Sequence, residues 1–444
     1  MVIQVTEKFT SQIIDSRSEI TNLAKDTSEF VNELRQAASD RLSTLTFPTT
    51  RDEDWKYTDV SSLKSLVFAN QSASSIDLET LDVETLIDKH SAPESSGNLI
   101  VFVNGEYSEK HSNITGAAQG LVIGTLANLG DRILPKLRSH LAQHPDANDY
   151  FTSINTACMA AVAIILVPKD MVVKNPVQLI FVSQSKEGAL LTQPRCLVIA
   201  ESHSSLTFVQ TFVGSDDQTY FTNAVTEVWL ADGAQVNQTE VQWQGNAAVH
   251  INTTAIAQAK NSVYKNQSIS LGAKLSRQNL IVQQMAEQTE TSLTGLAFID
   301  GEQLADTHSA IAHNYPHGSS KQLHKCIADG RSHTVFNGKI QVAKLAQHTD
   351  SAQLSRNLLL SAKARVDTKP QLEIFADNVK CAHGATVSQL DAEEIFYLQS
   401  RAIDAESAAN LLTYAFATEA IAQIPIESVR RSLSNFVLEK TKAQ

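Results

Sequence analysis

Cys381-Ala382-His383 sets a thiol and an imidazole two residues apart. In an extended chain, side chains i and i+2 point to the same side, so both groups present to one place. Thiolate and imidazole are each competent ligands for iron or zinc. Two ligands do not close a tetrahedral site, so the remainder must come from a second chain, from sulfide or from water. A buried cysteine beside a core-edge histidine has the same spacing without any metal, and it is the commoner origin of such a pair.

Six more histidines, His308, His313, His317, His324, His333 and His348, invite a metal-hydrolase reading. The spacing opposes it: five residues along a strand place His308 and His313 on opposite faces. A turn at Pro316–Gly318 is able to re-aim His317, but imidazoles stacked along a strand face and bonded to neighbouring backbone fit the pattern better. Cys158, Cys196, Cys326 and Cys381 are far apart and form no Cys-x-x-Cys pair, which excludes a zinc ribbon and a disulfide framework. Gly338-Lys339 lacks the upstream glycine and the following hydroxyl of a phosphate loop. No Gly-x-Gly-x-x-Gly, His-Glu-x-x-His or Gly-x-Ser-x-Gly is present.

The elements that must position these residues fall into three segments. Over residues 1–150 the reading is mainly helical: Phe30, Val31, Leu34, Ala37 and Ala38 lie on one helical face, and Phe47-Pro48 ends that helix. The polar stretch Arg51–Tyr57 carries the aromatic pair Trp55 and Tyr57. Ser72–Asn98 reads as a surface connection or small helix, Leu99–Val103 as a strand closed by Asn104-Gly105, and Gly130–Leu137 as a short helix. Over residues 151–391 short alternating runs follow one another, among them Val177–Val182, Leu206–Phe212, Ala224–Leu230, His250–Ala257, Ser262–Leu271, Asn279–Gln284, Ser292–Ile299 and Thr334–Val342. An extended run, Ile374–Lys380, leads into Cys381. So many strands imply a sandwich, a barrel or a solenoid. The scarcity of tight hairpin turns favours the solenoid, although no fixed repeat length is visible. Residues 392–444 are helical again. Asp391-Ala-Glu-Glu394 fits a capping box and Asp404 caps the next helix. Ala408, Leu411, Leu412, Ala415 and Phe416 form one apolar stripe, and Val429, Leu433, Phe436 and Val437 a second. Such stripes cap an open last coil or bind another chain, and both can hold together.

A hydrophobic fraction of 42% with 19% charged residues describes a globular chain with a real core. The net charge of −12 argues against a nucleic-acid or anionic-membrane surface. Met159–Val167, the longest apolar stretch, is too short to span a bilayer at ~20 residues. The N-terminus has no secretory or transit pattern, so a cytoplasmic location is expected.

Val335–Val342, Asn357–Ser361, Thr368–Ile374, Ala376–Thr386, Gln389–Asp391 and Ile395–Leu398 closely resemble the SufB/SufD family of iron–sulfur cluster assembly proteins, and the Cys-x-His-Gly-Ala-Thr run resembles its SufD branch. Arg51–Thr58, Val167–Pro176 and the stretch bearing His308, His313, His317, Ser320 and Lys325 are similar too, so the resemblance covers nearly the whole chain. Cys326, Ser388 and Ala402 stand where the family has glycine. The resemblance implies a mainly β fold: a right-handed parallel β-helix flanked by N-terminal and C-terminal helical domains. It implies a non-catalytic scaffold that pairs with SufB through the β-helices and docks the SufC ATPase on its C-terminal helices, through Leu411, Leu412, Ala415, Phe416 and Glu419. It further implies a transient iron–sulfur cluster at the SufB interface, with His383 and Cys381 as ligands, allows a reduced flavin on the assembled complex, and allows a homodimer of the isolated chain. Two other readings compete: a β-helix enzyme with an acidic cluster on the solenoid face, and a free-standing metallohydrolase built on His308–His333. Removing residues 404–444 is expected to leave the β-core folded.

Overall fold

The computed structural model describes residues 2–15, 17, 23–68, 83–116, 118, 120–185, 188–216 and 218–442. The part of Ser72–Asn98 before Val83 lies outside the described residues, and Val83–His90 is the small helix expected there.

The core is a parallel β-solenoid of about eight turns flanked by helices. Successive strands alternate between two sheets of ten strands each, so each strand is hydrogen-bonded to the strand one full turn away. Glu290–Ile299, for example, pairs in parallel with Ser319–Ala328, which pairs with Asp350–Leu359, which pairs with Lys380–Ser388. One corner of the coil is made by Asp170, His203, Gly233, Asn261, Gln288, His317 and His348, all at positive φ. The N–H of each is bonded to a carbonyl at the same corner of the next turn, His317 to Gln347 and His348 to Asn378 among them. That backbone region favours Gly, Asn, Asp and His, which accounts for several of the histidines. The corners are unequally spaced, from 27 residues (Asn261 to Gln288) to 33 (Asp170 to His203). Unequal turns are why no fixed period shows in the sequence.

The two ends of the coil differ. At the start, Leu99–Val103 pairs in parallel with Val177–Ser183 and antiparallel with Glu106–Tyr107 across an Asn104-Gly105 turn; Val122–Thr125 pairs antiparallel with Val162–Val167. The sheet therefore begins inside the segment read as mainly helical. The helix Lys25–Leu42 ends at Leu42, five residues before Phe47, and buries Phe30 and Val31 against the first strands. At the far end, Arg365–Ile374 and Lys380–Ser388 are the last strands of their sheets and contain no buried residue. Residues 375–379 form the corner between them, so Ile374–Lys380 is not one extended run.

The C-terminal helices leave that end open. Asp391 caps Ala392–Gln399 by accepting from the Glu393 N–H, and Asp404 caps Ala405–Ile421 by accepting from the Ser407 N–H. Ala405–Ile421 and Glu427–Lys442 then fold back along the outer face of one sheet. There Ala417, Ala420, Ile421, Leu433 and Val437 cover Val241, Ile269, Leu296, Phe298, Ile327 and Leu358. Ala402, in the turn between helices, has φ +65, a conformation that glycine adopts without strain and alanine does not.

Candidate functional site

Register builds the site. One inward-facing column runs Leu206, Val236, Tyr264, Thr291, Ser320, Ser351 and ends at Cys381. Its neighbour runs Phe208, Gln238, Asn266, Leu293, Gln322, Gln353 and ends at His383. Cross-lumen contacts prove the direction: Ser320 Oγ lies 2.9 Å from His313 Nε2 on the opposite sheet and 2.7 Å from Ser351 Oγ, and Gln322 Nε2 donates to Ser309 Oγ at 2.7 Å. The columns are largely apolar where the coil begins and polar where it ends. Cys381 and His383 are thus the last members of these two inward-pointing columns, at the open mouth of a lumen lined by hydroxyls and amides. His383 is exposed and Cys381 half-buried only because no further turn covers them. Gln353, in register with His383, donates from Nε2 to Gln322 Oε1, while its own Oε1 has no hydrogen-bond partner among the described residues. A side chain at Gly338 would crowd that Gln353 amide, which would have to move aside.

Partial burial, and then the nearby Asp350 carboxylate, push the Cys381 thiol up. Burial pushes Cys158 and Cys326 up to about 12 and raises Cys196 as well. Cys326 fills lumen space beside Ala297, Ile299 and Ala305. A thiol reagent should therefore titrate one cysteine of the native chain, slowly at neutral pH and faster as pH rises, and three more on unfolding. Native reactivity that survives in a Cys381→Ser chain would contradict this assignment.

The six other histidines are dispersed over three surroundings. His313 and His324 are buried in the lumen, where burial lowers them to about 4 and about 3 and keeps them neutral; His324 stacks on Phe336 at 4.5 Å. His317 and His348 stack on each other at 4.9 Å along the corner. His308 and His333 lie on the outer face of the opposite sheet, with Nε2 at 3.0 Å from Asp306 Oδ1 and 2.7 Å from Asp367 Oδ2 respectively. Opposite faces for His308 and His313 were expected and are found. Partners among carboxylates and hydroxyls, where backbone was expected, are a correction. Among the described residues no group of three or more His, Cys, Asp or Glu side chains is arranged to hold a metal ion.

On the helix Ala405–Ile421, Leu411 and Ala415 are exposed, Leu412 and Phe416 half-buried, and Ala408 fully buried, so the expected stripe is divided between solvent and sheet. The face fully against the sheet is Thr413, Ala417, Ala420 and Ile421. The outer column Val241, Ile269, Leu296 turns basic at Lys325 and Arg356. Glu419 meets it there: it pairs with Lys325, and Arg356 Nη1 reaches its Oε2 at 3.3 Å. Lys325 is itself buried, donates to the Phe416 carbonyl at 2.8 Å and lies 4.0 Å from the Phe416 ring. Glu419 therefore anchors the helix to its own sheet. Phe396 and Tyr397 of Ala392–Gln399 are 71% and 56% exposed beside that helix and extend its apolar surface.

Sequence reasoning passed over Ser351, Gln353 and Gln322. The signal was present, as serine and glutamine at alternate positions of Ser319–Ala328 and Asp350–Leu359, but polar alternation reads as solvent-facing.

Residues 181–416 match the model described as SUF system FeS cluster assembly, SufBD core domain, and residues 7–179 match the SufBD protein N-terminal region. An iron-sulfur cluster assembly SufBD family protein of Synechocystis is 40% identical, over 92% of this chain and 90% of its own length. A chloroplastic protein of Arabidopsis thaliana, ABCI7, is 31% identical over 97% and 90%. The iron-sulfur cluster assembly protein SufD of Escherichia coli is 30% identical over 87% of each chain.

Proposed function

From the premise that this chain belongs to the SufBD family and is a component of the SUF system for iron–sulfur cluster assembly, we propose that it is a SufD-type scaffold subunit. It pairs with a SufB partner, docks a SufC-type ATPase and contributes to the interface where a nascent cluster forms. The observation that carries this reading is the uncovered last turn. Two edge strands flank a lumen in whose last turn stand Cys381 and His383. Free strand edges are templates for another chain, and a facing β-helix would supply the ligands that two residues cannot. The same edges would let two copies of the isolated chain associate. Iron and sulfide are the cargo here: His383 offers an imidazole to iron, and Cys381, its thiol biased toward the protonated form, becomes a good ligand where a partner cation or iron stabilises the thiolate. The ATPase docks on the exposed apolar surface of Leu411, Ala415, Phe396 and Tyr397, with Leu412 and Phe416 at its edge. A reduced flavin, should the complex take one up, would supply electrons, and no residue of this chain is assigned to it. A cytoplasmic site of action belongs to the same proposal; no helix among the described residues is long and apolar enough to cross a membrane.

Co-expression with the other SUF components and mass spectrometry of the purified assembly test the reading. The chain is expected to co-purify with the SufB-type and SufC-type subunits and to hydrolyse ATP only in their company, since it has no phosphate-cradling loop. Turnover by the rigorously purified chain, or failure to co-purify with either subunit, would overturn it.

A further inference from the structure

The segment Arg51–Tyr57 lies across the outer face of the sheet opposite the C-terminal helices and leaves a cleft of about 440 Å³ beneath it, within the range of small-molecule sites. Its floor is a ladder in register across three successive turns: His308, Asn337 and Lys369. The covering segment is held rigidly. Arg277 Nη1 donates to the Asp54 carbonyl at 2.7 Å and to Asp306 Oδ2 at 2.6 Å, and its guanidinium lies 3.8 Å from the Trp55 ring.

Three of the carboxylates here are engaged: Asp306 by Arg277, His308 and Thr58, Glu53 by Lys369, and Asp367 by His333. Asp54 is the remaining acid. Arg51 and Lys56, at the rim, have no carboxylate partner among the described residues, so two cations stand uncommitted there beside the uncommitted Asp54. Asn337 is 7% exposed, and its Oδ1 has no hydrogen-bond partner among the described residues. His308 Nε2 stands 3.0 Å from Asp306 Oδ1, and its other ring nitrogen has no protein partner among the described residues. Two cations and two unanswered polar groups on a prearranged floor are the makings of a binding site.

We propose that this cleft binds a small hydroxylated organic anion, its carboxylate or phosphate held by Arg51 and Lys56 and its hydroxyls by Asn337 and His308. The site lies on the outer face of the opposite sheet, away from Cys381 and His383, and does not depend on the cluster reading.

Calorimetric titration of the full chain with citrate and with ribose 5-phosphate, up to about 10 mM, tests it, with inorganic phosphate as the charge-only control. Saturable binding of citrate or ribose 5-phosphate at one per chain is expected, and the one that binds identifies the anion. Lys56→Glu and His308→Gln should each weaken it by about tenfold or more, the loss of one charge-assisted contact. Lys56 is exposed, so its variant keeps the fold, and thermal melts verify this for both. No saturable binding of either probe, or binding unchanged in both variants, would overturn the site. Inorganic phosphate binding as tightly as ribose 5-phosphate would overturn the role given to Asn337 and His308.

Discussion

His383→Ala is expected to give a chain that folds, pairs and binds its ATPase normally, while the assembled complex retains about a tenth or less of the wild-type iron and sulfide. The separation of effects follows from where the side chain stands. His383 ends an inward column on a strand with no further turn beyond it, so its removal leaves no internal cavity and breaks no hydrogen bond between its ring and the described residues. What is lost is an imidazole at the lumen mouth, which alanine cannot replace as an iron ligand. Cys381→Ser should show a smaller defect, because its thiol is biased toward the protonated form and sulfide or water can occupy a vacated position. Iron and sulfide analysis of reconstituted complexes, set beside their melting temperatures, decides. Wild-type cluster content in His383→Ala would remove this residue from the site. A matching fall in melting temperature would make it structural, worth the ~1–3 kcal/mol of unpaired buried partners.

The second large effect concerns the C-terminal helices. Leu411→Asp together with Ala415→Asp should weaken ATPase-subunit binding by about thirtyfold or more, the scale of a lost interface hot spot, without moving the melting temperature, since both side chains are exposed. Phe416→Asp should do something different. Its ring lies against the buried Lys325 ammonium and packs on the cluster beneath the helix, so the variant is expected to melt earlier whether or not a partner is present. Truncation at residue 404 is no longer expected to spare the core. It would uncover Val241, Ile269, Leu296, Phe298, Ile327 and Leu358. At roughly 1.5–3 kcal/mol for each large side chain fully exposed, that approaches the ~5–15 kcal/mol that holds a domain together. Pull-downs and melts on the same three variants distinguish docking from anchoring. Full binding by the Leu411/Ala415 double variant would move the docking surface elsewhere.

Much of the fold was legible because strands such as Val177–Ser183 and Tyr220–Leu230 are rich in Val, Phe, Thr and Leu. Others were not, and lumen chemistry is the reason. In Ser319–Ala328 the buried positions include Ser320, Gln322, His324 and Cys326, so the inward face is polar and satisfied by hydrogen bonds across the coil. Arg365–Ile374 contains Pro370, which argues against a central strand and is tolerated because this strand is the last in its sheet. At the site, the i, i+2 spacing of Cys381 and His383 was readable, but their lumen direction was not. That direction depends on which way Ser351 and Gln353 point one turn earlier, a register that exists only after the coil has closed. The return of the C-terminal helices along the sheet, and the seating of Asp54 and Trp55 on Arg277, are long-range contacts with no local signature.

The way those helices lie back on the sheet sets a timetable for synthesis. The apolar column that begins at Val241 is covered last by Val437, almost two hundred residues later in the chain. With translation at ~5–20 residues per second, Val241, Ile269 and Leu296 stay bare for roughly 10–40 s after the first of them is made. Throughout that interval the emerging coil presents a greasy stripe to chaperones and to other nascent chains. The making of Glu427–Lys442 is thus also the moment at which that stripe is withdrawn from the folding machinery.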